Sequence, residues 1–116
     1  MSGKTSSYQL GVEAELLVAL YFNSLGFTLI SLRYKTKFGE IDLVLKQENQ
    51  IVFVEVKTRS KKFPVEELIT QRQIDRNYAA AEFFLAQLPE YSNYDCRFDV
   101  VILCNKKIIY HIQDII

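Results

Sequence analysis

Glu40-Ile41-Asp42-Leu43-Val44-Leu45-Lys46, then Gln47-Glu48-Asn49-Gln50, then Ile51-Val52-Phe53-Val54-Glu55-Val56-Lys57: this stretch decides the fold. Both flanking runs alternate, and the polar link between them is short, so they read as two strands of a hairpin. Setting Lys46 opposite Ile51 puts Asp42 opposite Glu55 and Glu40 opposite Lys57. A period of two then gathers Glu40, Asp42, Glu55 and Lys57 on one face. Ile41, Leu43, Leu45, Val52, Val54 and Val56 line the other. A register slip of one residue would scramble this partition, so the pattern itself fixes the pairing.

Upstream, Leu10, Ala14, Leu17, Val18, Tyr21 and Leu25 recur at helical spacing, predicting a helix over Ser7–Leu25 with this stripe buried. Ser6 would cap it, with Gln9 closing a capping box, and Gly26 would end it. Phe27–Leu32 reads as a short strand, and Arg33–Gly39 as a basic loop or strand extension. Downstream, Thr58–Ile69 is irregular and contains Pro64. A second helix is capped by Thr70 with Gln73 and runs to Leu88, where Pro89 forbids continuation. Its predicted stripe is Ile74, Tyr78, Ala81, Leu85 and Leu88. Tyr94–Cys104 is an apolar strand of the kind that is covered on both faces. Asn105-Lys106 turns the chain into a last strand, Lys107–Ile112. The order α-β-β-β-α-β-β predicts an α/β fold: a three-layer α/β/α sandwich with a central mixed five-stranded sheet.

Composition bounds the rest. The chain has 116 residues, 49% hydrophobic and 24% charged, which suits a single globular domain spanning 1–116. Fourteen Lys/Arg balance fourteen Asp/Glu, so bulk charge does not announce a nucleic-acid partner. One His and no CxxC pair exclude zinc fingers and haem attachment. Cys96 and Cys104 are expected to be small, reduced core residues. Glu13 and Glu15 interrupt any signal-peptide core, and no apolar run reaches bilayer length. The expectation is a cytoplasmic protein with no membrane partner.

Two carboxylates directly opposed on a sheet repel each other. Asp42 and Glu55 also share their face with Val44 and Phe53, which limits hydration. Such a pair calls for a cation, and oxygen ligands suit Mg²⁺ or Mn²⁺ better than zinc. Lys57 supplies one positive charge nearby. The competing reading is a solvated charged face with Glu40–Lys57 as an ordinary cross-strand pair.

Asp42 followed by Glu55-Val56-Lys57, after a helix bearing Glu15, resembles the PD-(D/E)xK nuclease superfamily, whose fold is restriction-endonuclease-like. More closely, the chain resembles the YraN-like family of small bacterial proteins. The matching stretches are Gly39–Leu43 (GEIDL), Val52–Arg59 (VFVEVKTR) and Arg97–Val101 (RFDVV), with Gly11, Glu15 and Gly26 fitting in spacing. The chain departs from the pattern at Ala14 (usually Gly), Arg33 (Asn) and Gln73 (Lys), and no Pro precedes Asp42. The resemblance implies metal-dependent hydrolysis of a phosphodiester in nucleic acid, DNA first. Asp42, Glu55 and Glu15, with the Val56 carbonyl, would hold Mg²⁺ or Mn²⁺, and Lys57 would orient or help deprotonate the attacking water. Glu40 would support the site as partner of Lys57, and Gln73 would stand behind the metal ligands.

Charge is unevenly spread. Residues 31–62 carry eight Lys/Arg against four acids, whereas residues 63–116 carry five against eight. Arg33, Lys35, Lys37, Arg59, Lys61 and Lys62 are therefore candidates for phosphate contacts, extended by Arg72 and Arg76 on the second helix. Nothing reads bases, so strong sequence specificity is not expected. Asp99 reads as a structural ion pair with Arg97, Glu13 as solvated, and His111 as incidental. Two other functions fit the same sequence: a nucleic-acid-binding module of this fold without turnover, and a protein-interaction adaptor using the sheet edge. The apolar last strand and the tail after it would suit a homodimer.

Overall fold

The computed structural model describes residues 7–59 and 69–115. Its elements are α1 (Ser7–Ser24), β1 (Thr28–Lys35), β2 (Glu40–Gln47), β3 (Gln50–Arg59), α2 (Gln71–Gln87), a single 3₁₀ turn (Pro89–Tyr91), β4 (Asp95–Cys104) and β5 (Lys107–Ile112). The strands form one five-stranded sheet in the order β1-β2-β3-β4-β5. Only β3 and β4 run parallel, and α2 supplies the crossover that such a pair requires. No helix among the described residues is long and apolar enough to cross a membrane.

Each helix covers one face of the sheet. Ala14, Val18 and Phe22 of α1 pack on Leu43, Leu45, Val52, Val54, Val101 and Leu103. On the opposite face Ala80, Ala81 and Phe84 of α2 pack on Ile41, Val44, Ile51 and Phe53. Full burial of each large side chain contributes about 1.5–3 kcal/mol. The fold class read from the sequence is therefore the one observed, an α/β sheet flanked by a helix on each side.

The hairpin register is as read from Gln47–Gln50 to Leu43–Val54, but the ladder ends there. The expected pairs Asp42–Glu55 and Glu40–Lys57 lie beyond it: Lys57 forms its ion pair with Glu55, and Glu40 stands opposite Lys35. Leu43 pairs with Val54, Val44 with Phe53 and Lys46 with Ile51, and Gln47 pairs with Gln50, so Glu48-Asn49 form the turn. Thr70 accepts from the Gln73 backbone N–H, while the Gln73 side chain accepts from the Thr70 N–H, completing the capping box. Gly26, at φ 95°, ends α1 in a Schellman motif: Phe27 N–H donates to the Phe22 carbonyl and Gly26 N–H to that of Asn23, both at 3.0 Å.

Several expectations are corrected. Ile41 leaves the Leu43 face and joins the α2 layer. The α1 stripe is rotated: Phe22 is buried, whereas Leu10, Leu17 and Leu25 are 46%, 37% and 47% exposed. On α2 the buried side is Ala80, Ala81 and Phe84, and Tyr78 is exposed. Of the two readings of the basic stretch, the strand extension is the one observed, as far as Lys35. Thr58 and Arg59, expected to be irregular, belong to β3. Cys96 is exposed rather than in the core, and both cysteines are free. The Ser6 cap, Pro64 and residues 60–68 lie outside the described residues.

His111 is not incidental. Its Nε2 lies 2.7 Å from Asp99 Oδ2, and its Nδ1 lies 2.7 Å from the Tyr21 hydroxyl. Arg97 donates twice to the buried Asp99 carboxylate, at 2.8 and 2.9 Å. This chain of polar contacts ties β4 and β5 to α1, and the ion-pair reading of Asp99 holds.

Gly39 sets how closely the β1–β2 turn approaches α2. Thr36 closes that turn, accepting from the Phe38 and Gly39 N–H groups at 3.0 and 3.1 Å. A Cβ on Gly39 would lie 2.5 Å from the Arg76 carbonyl oxygen, a backbone atom that cannot swing aside. Gly39→Ala is expected to cost about 1–3 kcal/mol by overpacking. A thermal melt reads this as a fall of at least about 4 °C in Tm; an unchanged Tm would show that the turn is not pressed against α2.

Candidate metal and phosphate site

The site begins where the β2–β3 ladder stops. Backbone pairing ends at Leu43–Val54. Beyond it the Val56 N–H donates to the side chain of Asp42, Oδ2, at 2.8 Å. A backbone donor facing away from water needs a partner, and here a carboxylate takes that place. Asp42 is thereby turned toward β3 and drawn down beside Glu55.

Glu55 points to the α2 side. With Glu40, Gln73, Arg76 and Asn77 it lines a polar cleft of about 110 Å³ between the hairpin and the first turns of α2. Lys57 Nζ stands 3.8 Å from Glu55 Oε1, with both side chains largely buried. A larger hollow of about 330 Å³, lined by Leu10, Ala14, Leu17 and Leu103 among others, lies between α1 and the ends of β3 and β4. It is mostly apolar and holds no paired carboxylates, whereas Glu55 and Glu40 line the smaller cleft.

The electrostatics follow from this crowding. Burial is the main force raising the Asp42 carboxyl to about 7, and the Glu55 charge raises it further; the Val56 N–H opposes both. Glu55 is raised as well, again chiefly by burial, and is held down by the Lys57 charge and by hydrogen bonding from Asp42 and the Asn77 amide. Both carboxyls are thereby pushed toward their neutral forms.

Glu15 is also buried, and burial raises its pKa, with Asp42 and Glu40 adding to the rise. Its Oε1 accepts from Arg33 Nε at 2.7 Å. Glu15 thus shares a field with Asp42, but its nearest cation is Arg33.

The donor set suits a small hard cation. Two carboxyls crowded together and pushed toward their neutral forms would ionise more readily around a divalent ion. No three His, Cys, Asp or Glu among the described residues are grouped closely enough to enclose an ion. A site with one or two carboxylates and room for water and phosphate oxygens is the usual provision for Mg²⁺.

Asp42, Glu55, Lys57, Glu40, Gln73 and Arg76 are brought together around the cleft. The other phosphate candidates are not among the residues lining that cleft. Lys35 is exposed at the end of β1, paired with Glu40. Lys37 sits over the Phe38 ring at 5.2 Å. Arg59 donates to the Thr58 carbonyl at 2.7 Å and borders the apolar hollow. Arg72 is exposed on the first turn of α2. Lys61 and Lys62 lie outside the described residues. Asn77 was not foreseen. Its signal was its place one helical turn after Gln73, which turns two amides toward one face.

Comparison with known proteins gives a consistent picture. The model of the uncharacterised protein family UPF0102 matches residues 14–103. A UPF0102 protein of Rhodopseudomonas palustris (strain BisB5) is 34% identical over 109 residues, covering 94% of this chain and 83% of that protein. One from Parvibaculum lavamentivorans is 35% identical, covering 94% and 82%. One from Bartonella tribocorum is 36% identical over 100 residues, covering 86% and 77%.

The Asp42 proton predicts a pH signature. Between the ordinary carboxylate pKa of 3.8 and the folded value of about 7, the folded chain holds a proton that the unfolded chain has released. Stability therefore falls as pH rises through that window. Asp42→Asn keeps an acceptor for Val56 and removes the charge. In EDTA at pH 8 its Tm is expected to exceed that of the native chain by at least about 4 °C, with little difference at pH 5. An equal gain at both pH values would sever the effect from ionisation.

Proposed function

The chain belongs to the uncharacterised protein family UPF0102, and from the chemistry of its own cleft we propose that it is a Mg²⁺- or Mn²⁺-dependent nuclease that hydrolyses phosphodiester bonds in nucleic acid, DNA first. The observation that carries this reading is the Asp42–Glu55 pair: two carboxylates from adjacent strands, crowded together in a buried setting beside Lys57. Two other buried acids are each met by an arginine, Asp99 by Arg97 and Glu15 by Arg33. Asp42 and Glu55 instead crowd each other, with the Lys57 amine 3.8 Å from Glu55.

When bound there, a divalent ion would polarise the scissile phosphate and offset the charge developing on it. Asp42 and Glu55 would hold it, with the Val56 carbonyl as a further oxygen. The Val56 N–H fixes the Asp42 carboxylate, so the ligand is oriented before anything binds. Lys57, 3.8 Å from Glu55, would orient the attacking water or help deprotonate it. Arg76 and Gln73, on the opposite wall, would hold a non-bridging phosphate oxygen and the flanking backbone. Contacts of this kind read the backbone rather than the bases, so selectivity would follow nucleic-acid structure rather than sequence. The Arg33–Glu15 pair favours a second reading, a nucleic-acid-binding module of the same fold with negligible turnover, because it occupies an acid that would otherwise assist the metal.

Incubation with branched, flapped and single-stranded DNA in Mg²⁺ or Mn²⁺ tests the proposal. Cleavage is expected, with Asp42→Ala and Lys57→Ala each losing at least about 10²-fold. Cleavage that survives both substitutions would belong to a contaminant and end the enzyme reading. Salt-dependent binding without cleavage would favour the module, and Arg76→Ala would then reduce the salt slope by about one.

A further inference from the structure

Glu15 and Arg33 form a contact built with some care. Glu15 is 5% exposed and projects from α1 toward the sheet. Arg33 Nε meets its Oε1 at 2.7 Å. Two backbone features serve this contact. Arg33 has φ 55°, a left-handed conformation that a long side chain rarely adopts without compensation. Gly11, one helical turn before Glu15, lies beneath the guanidinium: a Cβ there would come within 2.8 Å of Arg33 Nη2. The β1–β2 register places Arg33 across from Asp42, between the paired residues Leu32–Leu43 and Tyr34–Ile41. The guanidinium thus enters the field of Glu15, Asp42 and Glu40 from the β1 side.

A buried ion pair is a poor source of stability, since desolvation offsets most of the attraction. A strained arginine beside a pair of metal-seeking carboxylates points to another use. We propose that Arg33 is a cation built into the site: it keeps Glu15 in a closed ion pair, so that a single divalent metal ion is received by Asp42 and Glu55 without Glu15. The inference rests on the metal reading above and deepens it. Arg33 is then a positioning residue that fixes metal number and affinity, not a phosphate ligand. The arrangement neutralises one of three neighbouring acids permanently and leaves two for exchange with an ion. Mg²⁺ and Mn²⁺ bound by few carboxylates keep water and phosphate positions open, and an additional carboxylate would close one of them.

Calorimetric titration of the full chain with Mn²⁺ alone decides the matter. The native chain is expected to bind one ion. The charge-neutral double variant Arg33→Gln/Glu15→Gln is expected to bind one ion with affinity within about threefold of native, because neither residue touches the metal. Arg33→Gln alone uncovers Glu15 and should tighten binding by about tenfold or add a second ion, the scale on which neighbours of a metal site act. Gly11→Ala pushes the guanidinium off its seat in a helix that tolerates alanine well. It should shift affinity in the same direction by a smaller factor, and it serves where the glutamine variants fail to fold. A loss of about tenfold or more in the double variant would make Glu15 a ligand and overturn the proposal. So would unchanged or weaker binding in both Arg33→Gln and Gly11→Ala. Asp42→Asn separates the two levels. Lost Mn²⁺ binding there leaves the metal reading standing whatever Arg33 does, whereas retained binding sinks that reading and this one together.

Discussion

The Val56 N–H bonded to the Asp42 carboxylate is the contact on which the site depends. An antiparallel ladder normally satisfies its donors with carbonyls from the neighbouring strand. Here the ladder between β2 and β3 ends at Leu43–Val54, and the next inward donor is met by a side chain. Asp42 cannot point to solvent without orphaning that donor, at a cost of about 1–3 kcal/mol. It is held in place although its neighbour is Glu55 and although burial disfavours its charge. Backbone satisfaction thus enforces a proximity that electrostatics alone would break.

Comparison of the buried acids shows what is particular about this pair. Asp99 is closed on all sides by Arg97, His111 and the Asp114 N–H, and it joins β4, β5 and α1. Glu15 is closed by Arg33. Both carry a full arginine charge at contact distance. Asp42 and Glu55 have instead each other and, at Glu55, a lysine amine at 3.8 Å. The same chain thus holds its buried acids in two ways: met by an arginine, or crowded against a second carboxyl with a lysine nearby.

Much of this was legible in the sequence because it rests on short-range rules. A polar link between alternating runs fixed the hairpin register, so the adjacency of Asp42 and Glu55 followed by counting. Thr70 with Gln73 marked the start of α2 for the same reason, since a capping box is local. What escaped depended on rotation or on distant partners. Helix α1 carries leucines on several sides, so periodicity announces a helix without saying which leucines face inward, and Leu10 and Leu17 remain largely exposed. Ile41 changed layers because strand alternation fails opposite Arg33, whose positive φ no composition rule foretells. The pairing of Arg33 with Glu15, and the polar chain from Tyr21 through His111 to Asp99, join residues far apart in the chain. No local pattern encodes such contacts. Asn77 was missed for the same reason: its meaning comes from Glu55 across the cleft.

The location of the site follows from the topology. Strand β3 keeps its parallel partner β4 along its whole length, to Arg59–Cys104, but loses its antiparallel partner β2 after Val54. One side of β3 is therefore rigidly held while the other opens. Glu55, Val56 and Lys57 lie at that opening, anchored through β4 by pairings to Val100, Val101 and Ile102. Glu40 lies there from β2, and α2 closes the far wall with Gln73, Arg76 and Asn77. A gap in a sheet normally invites water or another strand to satisfy the freed groups. In this chain the gap is filled by charged side chains on a firm support, and that is the condition for holding ligands in a fixed geometry. Closing the ladder with two more backbone pairs would yield a more regular sheet and would leave Asp42 no reason to meet Glu55.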